Sequence, residues 1–132
     1  LNHKLTGPKW WNLLYLHLVT NEIRAEYKKP IYVKRAYSTL DEHILIYKEK
    51  NAQRKSDGLE ELPVPFGSLH LEAAAIDLID YDGKLYKFII DNFWKWDRLD
   101  LDIYLEDKDY TPKHVHLQTL PPKSGLRIFK PY

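Results

Sequence analysis

Not one of the 132 residues is a cysteine, so packing alone must hold this chain in shape. Disulfide frameworks, thiolate zinc fingers, iron–sulfur clusters and cysteine nucleophiles are excluded together. Any bound metal must sit on His, Asp or Glu. With 44% hydrophobic residues, the chain is long enough for one core and too short for two ordinary ones, and residues 1–132 read as a single domain. Lys and Arg number 20 against 19 Asp and Glu. That balance offers no basic face to nucleic acid and no acidic excess of the kind that keeps chains disordered. No run approaches the roughly 20 apolar residues of a membrane helix, and the start lacks the basic-then-apolar pattern of a signal peptide. No membrane insertion is expected, and the compartment stays open.

Apolar spacing predicts the elements. Trp10, Trp11, Leu13, Leu14, Leu16, Leu18, Val19 and Ile23 cluster at helical spacing behind Pro8, which predicts a helix from about Pro8 to Tyr27. Ile31-Tyr32-Val33 is β-branched and aromatic and reads as a short strand. Thr39-Leu40-Asp41-Glu42 has the form of a capping box opening a second helix that ends near Asn51. Residues 52–67 read as an exposed connection. The stretch from Leu71 to Ile79 has helical propensity yet also reads as a buried strand, and period alone does not decide. Asp80 to Gly83 is a turn, after which Leu85, Phe88, Ile89, Phe93 and Trp96 share one helical face. Leu99, Leu101, Ile103 and Leu105 alternate with polar residues as a half-buried strand. Pro112 to Thr119 alternates too, with His114, His116 and Gln118 on one side, and Gly125 to Lys130 makes a last strand. The sum is a small α+β domain.

Three of the six histidines fall in two places that can combine: His70, and the pair His114 and His116. Asp77 lies embedded in Ala and Ile, where a carboxylate must be paired or ligated. Two imidazoles and one carboxylate leave an open position on tetrahedral zinc, the arrangement of a catalytic site. Were residues 70–77 one helix, His70 and Asp77 would stand about 10.5 Å apart along its axis. Were they one flat strand, they would point to opposite faces. A shared metal therefore requires a turn at His70 and a strand over Ala75-Ile76-Asp77-Leu78. Other polar and aromatic residues read as structural. Trp10 and Trp11 belong to core or half-core. Asp100, Asp102, Glu106, Asp107 and Asp109 form a solvated acidic face, because the spacing lacks the Gly turn and final Glu of a calcium loop. His3, His17 and His43 read as surface or helix-face residues.

The segment Ser68-Leu69-His70-Leu71-Glu72-Ala73-Ala74-Ala75-Ile76-Asp77 resembles the motif S-x-H-x-x-G-x-A-x-D of the zinc peptidases that cleave D-alanyl-D-alanine and related peptidoglycan links. Lys113-His114-Val115-His116-Leu117 resembles their C-terminal His motif, and both motifs also resemble those of the hedgehog signalling domain. Ile31 to Thr39 is similar to the strand and turn that reads x-S-G-Y-R-S in many members. Order and spacing agree over roughly residues 8–130. The resemblance implies a small antiparallel sheet flanked by helices, with His70, Asp77 and His116 as zinc ligands. His114 would lie beside the metal as an orienting or transition-state group.

Departures from the family pattern are physical questions for the fold. Ala73 stands where the family has Gly, a position disfavouring Ala if it needs positive φ. Ser38 stands where the family often has a carboxylate-binding Arg, which leaves Arg35 as a displaced candidate beside Tyr37 and Ser38 in a substrate-binding segment. No carboxylate directly precedes the last ligand. Among Glu106, Asp107 and Asp109, Asp109 is nearest the His strand and is the expected general base. The resemblance thus implies a monomeric zinc-dependent peptidase acting on peptidoglycan stem or crosslink peptides. The alternative is a zinc-binding module that recognises a peptide or cell-wall fragment without turnover.

Overall fold

The computed structural model describes residues 8–64 and 68–131. In chain order these form α1 (Pro8–Tyr27), β1 (Val33–Arg35), α2 (Leu40–Ser56), β2 (Ala75–Ile79), α3 (Lys84–Asp91), α4 (Phe93–Arg98), β3 (Tyr104–Glu106), β4 (His114–Gln118) and β5 (Ile128–Phe129). A 3-10 turn, Lys108–Tyr110, sits between β3 and β4. The strands make one sheet in the order β1-β2-β4-β3-β5.

Helix α1 has the expected bounds, and Leu16, Val19 and Ile23 form its buried stripe. Asn12, one turn earlier on that stripe, donates from its amide to the Glu72 carbonyl at 3.0 Å. Trp10 and Trp11 fall off the stripe, at 44% and 69% exposed, so neither is a core residue and only Trp10 is half-covered. Thr39 caps α2, accepting from the Glu42 amide at 3.2 Å, as the capping box requires. The helix runs past Asn51 to Ser56, because Lys, Gln and Arg are good helix formers and the next residue with positive φ after the helix start is Gly58. The expected connection is correspondingly shorter. Its middle is pinned back on α2, where Asn51 exchanges two hydrogen bonds of 2.8 Å with Leu62. Residues 65–67 and His3 lie outside the described residues.

Pairing, rather than propensity, sets the strands. β2 pairs antiparallel with β4, matching Asp77 to His116 and Ile79 to His114. β1 lies two residues later than its apolar run, and an irregularity in its pairing sets Arg35 against Asp77. β3 pairs antiparallel with β4 through Tyr104↔Gln118 and Leu105↔Leu117. Of the expected 99–105 strand only Tyr104 and Leu105 are regular, in a strand that runs on to Glu106, because Leu99 and Asp100 turn out of α4, with Asp100 at φ 57°. β5 is limited to Ile128–Phe129 and runs parallel to β3. The sheet is therefore mixed, not antiparallel throughout. The 119–127 connection passes around the start of β3, so β5 lies on its far side and runs in the same direction.

Alternation divides the sheet cleanly. Ile76 and Leu78 of β2, Val115 and Leu117 of β4, and Leu105 of β3 point to one face and join Leu16, Val19, Ile23, Leu85, Ile89 and Trp96 in the core. The expected single helix over Leu85 to Trp96 breaks at Asn92, whose amide donates to the Phe88 carbonyl at 2.8 Å. Trp96 is fully buried and donates its indole N–H to the Ile89 carbonyl at 3.0 Å. The period of two then sends Asp77, His116 and Glu106 to the opposite face.

Candidate metal centre

Before β2, residues 69–73 form a turn closed by the Ala74 amide, which donates to the Leu69 carbonyl at 3.0 Å. Within it, Ala73 takes φ 57° and is fully buried. This is the left-handed conformation for which Gly is ordinarily selected. The turn swings His70 back over the face on which Asp77 emerges. Ser38, buried in the segment after β1, donates its amide to the His70 carbonyl at 3.2 Å and anchors the turn from the other side.

His70, Asp77 and His116 each offer a ligand atom, and these atoms lie within 4.8 Å of one another. This is the group of His and carboxylate side chains able to hold a metal among the described residues. His70 Nδ1 donates to the Ala36 carbonyl at 2.9 Å, so in the neutral ring Nε2 bears the lone pair. That atom faces Asp77 Oδ2 at 3.3 Å. The Gln118 amide is oriented by donating to the Leu120 carbonyl at 2.9 Å, which turns its oxygen toward His116 Nε2 at 2.9 Å. His116 therefore donates through Nε2 and presents Nδ1 to Asp77 Oδ1 at 3.0 Å. Two imidazole lone pairs thus converge on one carboxylate, an arrangement that repels unless protons or a cation stand between them. Carbonyl and amide oxygens fixing the remote nitrogens are what orient imidazole ligands at metal sites.

The electrostatics report the same tension. Burial pushes the Asp77 carboxyl up, but hydrogen bonds and charge from His116 and His70 outweigh it and hold the group well below the usual carboxylate range. Burial pulls His116 down, and its bond to Asp77 more than reverses this, leaving it raised. These are two views of one interaction.

The three residues open onto a cleft of about 660 Å³ whose walls include Lys34, Arg35, Tyr47, Glu106, Thr111 and His114. Continuing the β3–β4 register by one step sets Glu106 beside His116 on the cleft face. Burial raises the Glu106 carboxyl; Asp77 adds to the rise, while His116, His70 and Lys50 oppose it. His114 also faces the cleft, and burial holds its imidazole below the ordinary value. Thr111 keeps a buried hydroxyl with no hydrogen-bond partner among the described residues.

Asp109 does not join this group. It is exposed on the 3-10 turn, and its amide donates to Asp107 Oδ1 at 2.9 Å. The turn carries it away from the cleft, whereas Glu106, still on the strand, is directed inward. Nearness in sequence pointed to Asp109; extending the 99–105 alternation by one residue and pairing that strand with the His strand would have found Glu106. Of the substrate-binding candidates, Arg35 lines the cleft while Tyr37 and Ser38 do not. His43, read as a surface or helix-face residue, lies on α2 and is fully buried.

No family model matches the chain, nor does any curated protein or solved structure. Among the described residues no helix is long and apolar enough to cross a membrane.

Proposed function

We propose that this protein is a zinc-dependent peptidase acting on peptidoglycan stem or crosslink peptides, with a sheet and turn arrangement akin to the D-alanyl-D-alanine peptidases and the hedgehog signalling domain. The observation that carries this reading is the convergence of His70, Asp77 and His116 at the floor of a cleft that also holds the half-buried Glu106. The donor set fits the metal: two imidazoles and one carboxylate favour zinc and leave a position for substrate. When bound, zinc supplies the Lewis acidity that brings the pKa of water to about 7 and polarises the scissile carbonyl.

The chain's own groups then divide the work. Ala36 and Gln118, accepting from the remote nitrogens, fix the tautomers in which His70 Nε2 and His116 Nδ1 would face the metal. Glu106, with its carboxyl raised by burial, takes a proton from the attacking water and returns it to the leaving amine, a task suited to a pKa nearer neutrality than that of a solvated glutamate. His114, whose imidazole burial holds below its ordinary value, donates to the carbonyl oxygen as charge develops there.

Hydrolysis of muropeptide fragments by the zinc-loaded chain tests the reading. Glu106→Gln should keep zinc and fold while losing about 10²–10⁴-fold in kcat, and Asp109→Ala should retain wild-type turnover. Equal activity in Glu106→Gln removes Glu106 from the role. A zinc-loaded wild type that binds muropeptides without cleaving them replaces the peptidase with a recognition module.

A further inference from the structure

Ala73 is the strained point of the turn that carries His70. Its φ of 57° lies in the left-handed region, where the Cβ of an L-residue crowds the backbone, and the residue is fully buried. The strain has a local escape. Rotating the 72–73 peptide unit by half a turn would carry Ala73 to a φ of about −120°, inside the broad extended region. Two bonds oppose that rotation, one on each edge of the unit. The Ala73 amide donates to the His70 carbonyl at 3.4 Å, and the Glu72 carbonyl accepts from the Asn12 side-chain amide at 3.0 Å.

The first bond is long and shares its acceptor, because the His70 carbonyl also takes the Ser38 amide at 3.2 Å. The second reaches in from outside the turn, from a residue 60 positions away in the chain. Asn12 is rooted in α1, whose Leu16, Val19 and Ile23 are locked into the core, so its amide is presented from a rigid element. Downstream the chain is already fixed: the Ala74 carbonyl accepts from the Thr119 amide, just past β4, at 3.0 Å. A rotated 72–73 unit would therefore leave β2 in register and release the upstream part of the turn, where His70 lies.

We propose that Asn12 is a positioning residue for His70: it latches the 72–73 peptide unit in the orientation that Ala73 alone disfavours, and so ties the place of the imidazole to the packing of α1. Glycine would hold this conformation without help, since it has no Cβ to crowd. With alanine in place, the surrounding structure must impose it. The consequence for metal affinity rests on the metal reading of His70, whereas the latch itself does not.

The test is a four-member cycle of wild type, Asn12→Leu, Ala73→Gly and the double variant, each titrated with zinc against a competing chelator. Asn12→Leu removes the donor at similar volume and should weaken zinc binding about tenfold, at the low end of what residues orienting metal ligands contribute. Ala73→Gly alone should leave affinity within about twofold of wild type, and in the double variant it should recover most of the loss, because glycine accepts the left-handed conformation unaided. Asn12→Ala, favourable in a helix, serves if the leucine variant does not fold. A merely structural Asn12 would lower the urea midpoint and leave the zinc affinity of the folded chain unchanged. That result, or a loss that Ala73→Gly does not repair, overturns the proposal. The metal-free chain gives a second reading through ¹H–¹⁵N spectra of the His70 ring. Wild type should carry the ring proton on Nδ1, bonded to the Ala36 carbonyl; Asn12→Leu should mix the tautomers, and adding Ala73→Gly should restore the first. If wild type takes up no zinc, the metal reading falls, and the ring spectra decide the latch by themselves: identical spectra in wild type and Asn12→Leu would overturn it.

Discussion

On β2, β4 and β3 the two faces of the sheet lie one residue out of step. Ile76, Leu78, Val115, Leu117 and Leu105 line one, and Asp77, His116 and Glu106 line the other. The same backbone hydrogen bonds serve both, yet the faces obey different physics. Burial on the apolar side is non-directional and depends on filled volume. On the cleft side, burial penalises every group that lacks a correctly oriented partner. The apolar face thus supplies stability, and the polar face draws on it to hold convergent lone pairs where a cation can be received. Variants on one face should leave the signature of the other untouched.

The largest expected effect is on the apolar side. Trp96→Ala empties the largest fully buried side chain and should cost about 3–5 kcal/mol in urea unfolding. Zinc uptake per folded chain should be unchanged at denaturant-free conditions. A cost below about 1 kcal/mol would break the assignment of Trp96 to the core, and loss of zinc from folded protein would break the independence of the faces.

A smaller effect separates the metal-free from the zinc-loaded chain by pH. Without metal, Asp77 sits below its ordinary value, so its contribution is present above the unfolded carboxyl pKa of about 3.9 and is lost as pH falls through its depressed folded value. His116 is raised, so its contribution is full below about pH 6.5 and is lost as pH rises through its folded value. Both describe one pair and count once. Metal-free protein should therefore lose stability as pH rises past His116's folded pKa. With zinc the trend should reverse, since imidazole ligands must shed their protons to bind. Denaturation midpoints with and without chelator across pH 6–9 measure the contrast; parallel curves would contradict it.

How much of this was legible beforehand depends on whether local pattern or long-range pairing decided the matter. Helix α1 and the Thr39 cap followed from spacing and side-chain chemistry within a few residues. The grouping of His70, Asp77 and His116 was expected from the family resemblance, and bond lengths, which forbid His70 and Asp77 from sharing one regular element around a metal, demanded the turn that Ala73 closes at φ 57°. Glu106 was weighed and passed over for Asp109, because its place beside His116 depends on the β3–β4 register and distance along the chain favoured Asp109. The burial of His43 was not legible for a like reason: Arg35, with an Nη 2.6 Å from His43 Nδ1, reaches it only after β1 has settled two residues beyond its apolar run. The parallel β5 followed from the path of the 119–127 connection, which no local pattern encodes.

The central claim is that the polar face is a metal centre, and locating zinc tests it most directly. Crystals grown with one equivalent of zinc, measured at the zinc absorption edge, should show one anomalous peak per chain. The peak should lie among His70 Nε2, His116 Nδ1 and the Asp77 carboxylate, with Zn–N distances of about 2.0–2.1 Å, and His70→Ala should abolish it. A peak elsewhere, or an unchanged one in His70→Ala, would contradict the account.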